Sequence, residues 1–415
     1  MNVQLLQTLL EQLPPSLKKE WSLRNGQTVY GKVEKLFPND MALVQIGGRS
    51  LVAELKAPVT SGEHYWFQVV ATGENIQLKM IERSFNANQP LDETKLIEQL
   101  RLPNSKHVRE LLKFLIKESL PIVKEDVLKA AEWLKTADLK TGLQAIRWMY
   151  TNNLPFTNDV FQAMIAFQNE KPFHEQLNQL QSSLAKAIAN MPEKEGALFQ
   201  LHSFLRDWPS VSDFSPSELA KMFKKMIQWL GLQHEAKSEP LTDETKEQLK
   251  SLLIKALQEC PEQETKKEMA NVLHRLTAQQ LFSHDQGPIQ QIFTQFPLLL
   301  GKHWTDVTIQ WRGKKEKNGK LDTDYCRILF YLTLETLKET VIDVQIQQRI
   351  VQISIVNDTP NLQQAISSFQ PLLKKNLADH HYTLSSIKVI PTAKKQNERL
   401  APIEPSSYKG VDYRV

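Results

Sequence analysis

The chain has 415 residues, of which 41% are apolar and 24% charged, and a formal net charge of +4. That length accommodates roughly two to four domains, and no apolar run reaches the roughly 18 residues that a membrane span needs. Two cysteines, Cys260 and Cys326, with no CxxC pair, argue against a zinc knuckle or a disulfide framework and point to a reducing, cytoplasmic setting.

The first 20 residues place Leu5, Leu6, Leu9, Leu10 and Leu13 at helical spacing and lack the basic start of a signal peptide, so 1–20 reads as an amphipathic helix. Six of the 14 glycines follow within 21–84. Five short runs alternate there: Thr28 to Leu36, Met41 to Ile46, Leu51 to Leu55, His64 to Val70 and Ile76 to Ile81. Pro38-Asn39-Asp40, Gly47-Gly48, Ser61-Gly62 and Gly73-Glu74-Asn75 supply the turns. Five short strands in so few residues predict a small closed barrel of the OB or SH3-like kind, since closure removes exposed edges. Tyr65, Phe67 and Val69 face its core, which turns Trp66 outward to a covering segment or a partner. The barrel holds seven Lys/Arg against six Asp/Glu, too even a balance to hold phosphates by charge, so a nucleic-acid partner is disfavoured here.

From about Leu91 to Asp285 helical spacing takes over. Residues 91–172 read as helical hairpins and 173–285 as a further helical region. Ser119-Leu120-Pro121-Ile122 and Asn153-Leu154-Pro155-Phe156 each lead into an apolar helix, with the Leu-Pro pairs 34 residues apart. Two similar hairpins explain that spacing without a solenoid. Ser215-Pro216-Ser217-Glu218 is a capping box at a helix start, Leu219, Met222, Phe223, Met226 and Leu230 form its stripe, and Gly231 stops it. A polar loop, His234 to Pro240, precedes helices at Asp243 to Glu259 and Gln263 to Phe282.

No P-loop, GxSxG, HExxH or dinucleotide fingerprint occurs, so the chain reads as non-enzymatic, with no catalytic, cofactor or metal residues and no assigned binding residue. His380-His381 suits a polar helix end, and Asp322 with Asp324 suits a turn between strands better than a calcium loop. The basic run Gly313 to Lys320 reads as a solvated hairpin tip.

From Gly301 onward there are 17 Lys/Arg against 12 Asp/Glu. Residues 286–392 read as a compact α/β domain, a sheet covered by one long helix. Its strands are predicted at Gln290 to Leu300, Thr305 to Arg312, Ile328 to Leu334, Val341 to Ile346 and Ile350 to Val356, with a tight turn near Gln347-Gln348. The helix runs from about Pro360 to His380 on a stripe of Leu362, Ile366, Phe369, Leu373 and Leu377, with Pro371 predicting a kink or a break into two helices. Leu384, Ile387 and Val389 suggest a returning strand. Residues 393–415 read as a flexible tail.

The stretch Leu332-Thr333-Leu334-Glu335-Thr336-Leu337-Lys338-Glu339-Thr340-Val341-Ile342-Asp343-Val344, the strand Arg349 to Val356, the helix and the Ser385-Ile387-Val389 strand resemble the C-terminal domain of flagellar hook-length control proteins. That resemblance implies a cytoplasmic interaction domain that binds the export-gate switch protein, or a paralogue, and modulates which substrates are exported. The fold class expected from the whole is multidomain α+β: a five-stranded barrel, an all-α middle and a C-terminal α/β domain. The other function the residues allow is a nucleic-acid-binding accessory protein that acts through the N-terminal barrel.

Overall fold

The protein is described by a computed structural model over residues 23, 25–46, 49–55, 57–71, 76–83, 93–118, 120–169, 171–189, 196–208, 210–211, 216–231, 248–283, 285–286, 289–300, 303–315 and 321–392. The readings of 1–20, His234 to Pro240, Ser215 and 393–415 lie outside these residues. The chain divides into two compact units, with the boundary between Ile165 and Ala166. The architecture is multidomain α+β.

The first unit begins with strands β1 (Thr28–Leu36), β2 (Met41–Ile46), β3 (Arg49–Leu55), β4 (His64–Ala71) and β5 (Gln77–Arg83). They close into a barrel in the order β1-β2-β3-β5-β4, antiparallel except for the β3–β5 pair. Alternation decides what is inside: Val29, Val33, Ala42, Val44, Ile46, Ala53, Leu55, Tyr65, Phe67, Val69 and Leu78 form the core. Gly31 faces the same interior, where an added Cβ would stand 2.8 Å from Val44 Cγ1 and 2.9 Å from Ile46 Cγ1.

Helices α1 (Glu93–Gln99), α2 (Lys106–Lys117), α3 (Lys124–Trp133), α4 (Leu139–Thr151) and α5 (Asn158–Phe167) follow. Ser105 caps α2 and Asp138 caps α4, each accepting from a backbone N–H three residues on. The 34-residue echo is structural. Leu120 N–H donates to Leu115 O at 2.8 Å, and Leu154 N–H donates to Met149 O at 2.9 Å, so both helices end in the same turn. Between α2 and α3, Ile122 pairs with Thr28 through two 2.9 Å backbone bonds, which ties the helices to the first strand of the barrel.

The second unit holds α6 (Phe173–Ala189), α7 (Ala197–Arg206), β6 (Ser210–Val211), α8 (Pro216–Leu230), α9 (Leu249–Glu259), α10 (Gln263–Phe282), β7 (Asp285–Gln286), β8 (Ile289–Leu300), β9 (His303–Lys315), β10 (Leu321–Leu334), β11 (Lys338–Gln347), β12 (Ile350–Val356), α11 (Leu362–Asp379) and β13 (Thr383–Ile390). The sheet runs β13-β12-β11-β10-β9-β8-β6, with β7 paired to β8 off that path. Phe296, Leu298, Val307, Ile309 and Leu332 lie in one core with Leu198, Leu201, Met226, Leu230, Leu253 and Leu276. Helices read from sequence as a separate region therefore share a core with the sheet.

Helix α10 runs beside β8, along the stretch between its short pairings with β7 and β6. Gln279 Oε1 accepts from Gln295 N–H at 2.8 Å, and Ser283 Oγ bonds both the N–H (2.8 Å) and the carbonyl (2.7 Å) of Phe293. Side chains of a helix thus occupy backbone groups that a further strand would otherwise pair, which blunts the edge. At the far end Gln363 on α11 accepts from Val389 N–H at 2.8 Å and does the same for β13.

Three expectations are corrected. Pro371 does not split its helix: α11 is one element of 18 residues. Its stripe also loses Phe369, which is 67% exposed, because α11 packs along β13 at the end of the sheet and buries only the side with Leu362, Leu373 and Leu377. Asp322 and Asp324 lie within β10 and not in a turn. The Asp322 carboxylate accepts from Asp324 N–H at 2.8 Å, and Asp324 pairs with Arg349 at 2.9 Å across the sheet. The β9–β10 register shifts between Leu321 and Cys326, so the two carboxylates sit where the ladder is irregular.

Candidate nucleic-acid interface

The outer surface of the barrel is set by register. Lys35, Leu43 and Val52 stand side by side across β1, β2 and β3, because Lys35 opposes Leu43 and Leu43 opposes Val52. Side chains directly opposite in adjacent strands lie within about 5.5 Å, so these three form one outward row. Val52 is 50% exposed. At the edge of that row lie Leu36, the last residue of β1, and Phe37 just after it, which are 50% and 44% exposed. Phe37 opens the β1–β2 loop, and its N–H bonds Met41 O at 2.7 Å. Asn39 and Asp40 turn the loop with φ of 61° and 57°, a conformation that short polar side chains tolerate. A rigid hairpin therefore holds an aromatic ring at the surface.

The charges around the row are balanced. Lys32 opposes Gln45 and lies beside Glu34, which accepts from Ser50 Oγ at 2.9 Å. Glu54 accepts from Gln77 Nε2 at 2.8 Å. Neutral donors hold both carboxylates, so the face offers apolar and stacking contact with little net charge. In small barrels of this topology the β2–β3 face and the β1–β2 loop are where oligonucleotides bind.

Trp66 is not part of that surface. It points out of the barrel but is only 2% exposed, packed 5.2 Å from Tyr30, whose ring stacks on His64 at 5.4 Å. Phe37 and Val52 carry no sequence motif. The signal that could have found Phe37 is its place immediately before Pro38-Asn39-Asp40, a turn that cannot bury an aromatic inside the barrel. The Gly313 to Lys320 run joins β9 to β10, with 316–320 outside the described residues. His380 caps α11 and His381 follows it with φ 63°. Among the described residues no group of three or more His, Cys, Asp or Glu side chains is placed to hold a metal ion, and no helix is long and apolar enough to cross a membrane.

The second unit carries a polar array on the sheet face opposite its apolar core. Arg327 makes two bonds to Asp343, at 2.8 and 2.6 Å, and opposes Arg312 across the β9–β10 pair. Burial lowers the Arg312 pKa to about 10, with Arg327 beside it adding to the effect, and Gln291 accepts from its Nε at 2.8 Å. Burial likewise pushes the Tyr331 hydroxyl up. Arg327, Asp343 and Arg312 are each engaged by a neighbour, and the array has the character of structure and not of a binding cleft.

Residues 5–79 match the TP0910 S1-like domain family, a stretch that takes in four strands of the barrel and the start of the fifth. Over 122 residues, 29% of this chain, the sequence is 40% identical to "Uncharacterized protein YlqG" of Bacillus subtilis (strain 168). The matched stretch spans about a fifth of that relative, 21% of its length. No solved structure matches. These findings overturn the resemblance to flagellar hook-length control proteins: the matches are to an S1-like domain and to YlqG, and none is to that family. The misleading signal was patterned hydrophobicity, which any amphipathic sheet with a crossing helix produces.

Proposed function

We propose that this is a non-enzymatic, cytoplasmic binding protein whose barrel holds a single nucleic-acid strand. The β2–β3 face and the β1–β2 loop make the contact. The observation that carries this reading is Phe37, an exposed ring on a constrained loop beside the outward row of Lys35, Leu43 and Val52. Base stacking on such a ring is sequence-tolerant, because every base has a π-face. The S1-like match over 5–79 supports the same reading. The even charge of the barrel limits its own contribution to phosphate attraction.

Titration of a fluorescent oligouridylate with the full chain at low salt tests the proposal. Phe37→Ala is expected to lose about 1 to 3 kcal/mol of affinity, the usual worth of one stacked base. Saturable binding that Phe37→Ala leaves unchanged would remove the barrel face from the account. Oligodeoxythymidylate run in parallel separates RNA preference from general single-strand binding.

A further inference from the structure

The barrel has too little positive charge to hold a phosphate backbone, and the same compact unit supplies that charge elsewhere. Helix α2 carries Lys106, Arg109, Lys113 and Lys117 against a lone Glu110. The four cations fall at i, i+3, i+7 and i+11. At 100° and 1.5 Å per residue they occupy an arc of about 80° and a line of roughly 16 Å. All four are exposed, while Val108, Leu111, Leu112 and Leu115 on the other side are fully buried. The helix therefore cannot lay an apolar face into a lipid surface, as a basic amphipathic helix on a membrane would.

The stripe is also under-neutralised. Among the described residues neither Lys106 nor Lys117 has an acidic partner, and Arg109 donates to the uncharged Asn104 at 2.7 Å. Lys113 has Glu110 at 4.0 Å, so the stripe carries one i, i+3 ion pair. Topology brings the stripe to the barrel. Lys117 ends α2, and five residues later Ile122 pairs with Thr28 at the start of β1, the opposite end of that strand from Phe37, so a nucleic-acid strand must run the length of β1 to meet both Phe37 and α2.

We infer that the basic face of α2 continues the path of a single nucleic-acid strand beyond the barrel and binds its phosphates. The inference rests on the single-strand reading of the barrel. A line of roughly 16 Å spans at most about five phosphates, the number reached where the strand stays stacked at 3.4 Å per nucleotide. The labour divides physically: the barrel stacks bases, and the helix neutralises the backbone.

The test uses the full chain with oligouridylates of about 8 and about 20 nucleotides, lengths that sit within and beyond the site of one such barrel. Anisotropy is read across a series of KCl concentrations. The variant Lys106→Gln/Arg109→Gln/Lys113→Gln/Lys117→Gln is expected to bind the long oligonucleotide at least about ten-fold more weakly and to lower its salt slope by roughly 3, near 0.7 per lost contact. Its affinity for the short one should stay within about two-fold, since that strand lies in the barrel. Phe37→Ala should weaken both lengths. Wild-type affinity and slope for the four-fold variant, with Phe37→Ala still impaired, overturns the helix track and leaves the barrel reading standing. The reverse pattern, with only the helix variant impaired, overturns the barrel reading and the shared path with it. Displacement of the long oligonucleotide by polyglutamate as readily as by unlabelled RNA marks α2 as a surface for acidic proteins and also overturns the inference.

Discussion

At the scale of single residues, the polar array on the sheet shows what a buried charge requires. The Asp343 side chain is 4% exposed and that of Arg327 is 12% exposed. Removing one partner of such a pair leaves a charge stranded away from water, which costs about 3 to 5 kcal/mol, while replacing both by apolar side chains is often neutral. Arg327→Met should therefore destabilise the second unit strongly in urea unfolding, and Arg327→Met/Asp343→Leu should recover most of the loss. Equal losses in the single and double variants would show that the pair is not what holds this face. Relief of repulsion on Arg312 offsets part of the single-variant cost, because burial and Arg327 together depress that guanidinium. Sequence alone does not pair these groups. Arg327 and Asp343 are 16 residues apart and meet only through the β10–β11 register.

At the scale of elements, turns and helix ends were the readable part. Thr28–Leu36, Met41–Ile46, Ile350–Val356 and Gln263–Phe282 lie where alternation or helical spacing put them. Gly231 ends α8 with φ 74°, the left-handed conformation that glycine reaches without a Cβ penalty. The β11–β12 hairpin turns on Gln348 and Arg349, both at positive φ, so its two-residue loop has the twist that suits flanking strands despite holding no glycine. Arg349 has a second task there, reaching Asp324 at 2.9 Å. Pro371 is an element-level exception. It lacks the N–H that would reach Ser367 O, yet α11 continues through it. Pro371→Ala should stabilise the second unit by up to about 3 kcal/mol. An unchanged or lowered thermal midpoint would mean that the proline is accommodated by packing that alanine cannot replace.

At the scale of the whole molecule, two compact units with separate cores predict separable unfolding. Calorimetry should resolve two transitions, since multidomain chains depart from a single cooperative step. Gly31→Ala is the probe for the barrel. Its new Cβ would meet Val44 and Ile46 below 3.0 Å and the Gln45 carbonyl at 3.2 Å, and overpacking of this kind costs about 1 to 3 kcal/mol. It should lower one transition and leave the other in place. A uniform shift of both would show that the units unfold as one body.

The amino-acid sequence by itself determined where the chain alternates, where it coils and where it turns, because those periodicities are local and each residue type carries its own backbone preference. It also determined that charge is nearly even on the barrel; that four cations share one face of α2 followed only from the bounds of the helix. Only the tertiary structure decided what each apolar face is buried against. Leu198, Leu201, Met226 and Leu253 read the same whether their helices pack on one another or on Phe296 and Val307 of a sheet. Exposure followed the same rule. Trp66 and Phe37 both point away from the barrel core, yet one is covered and the other meets solvent. Hydrophobic spacing records that a side is hidden; which segment hides it depends on chain crossings far apart in sequence, and those no local pattern encodes.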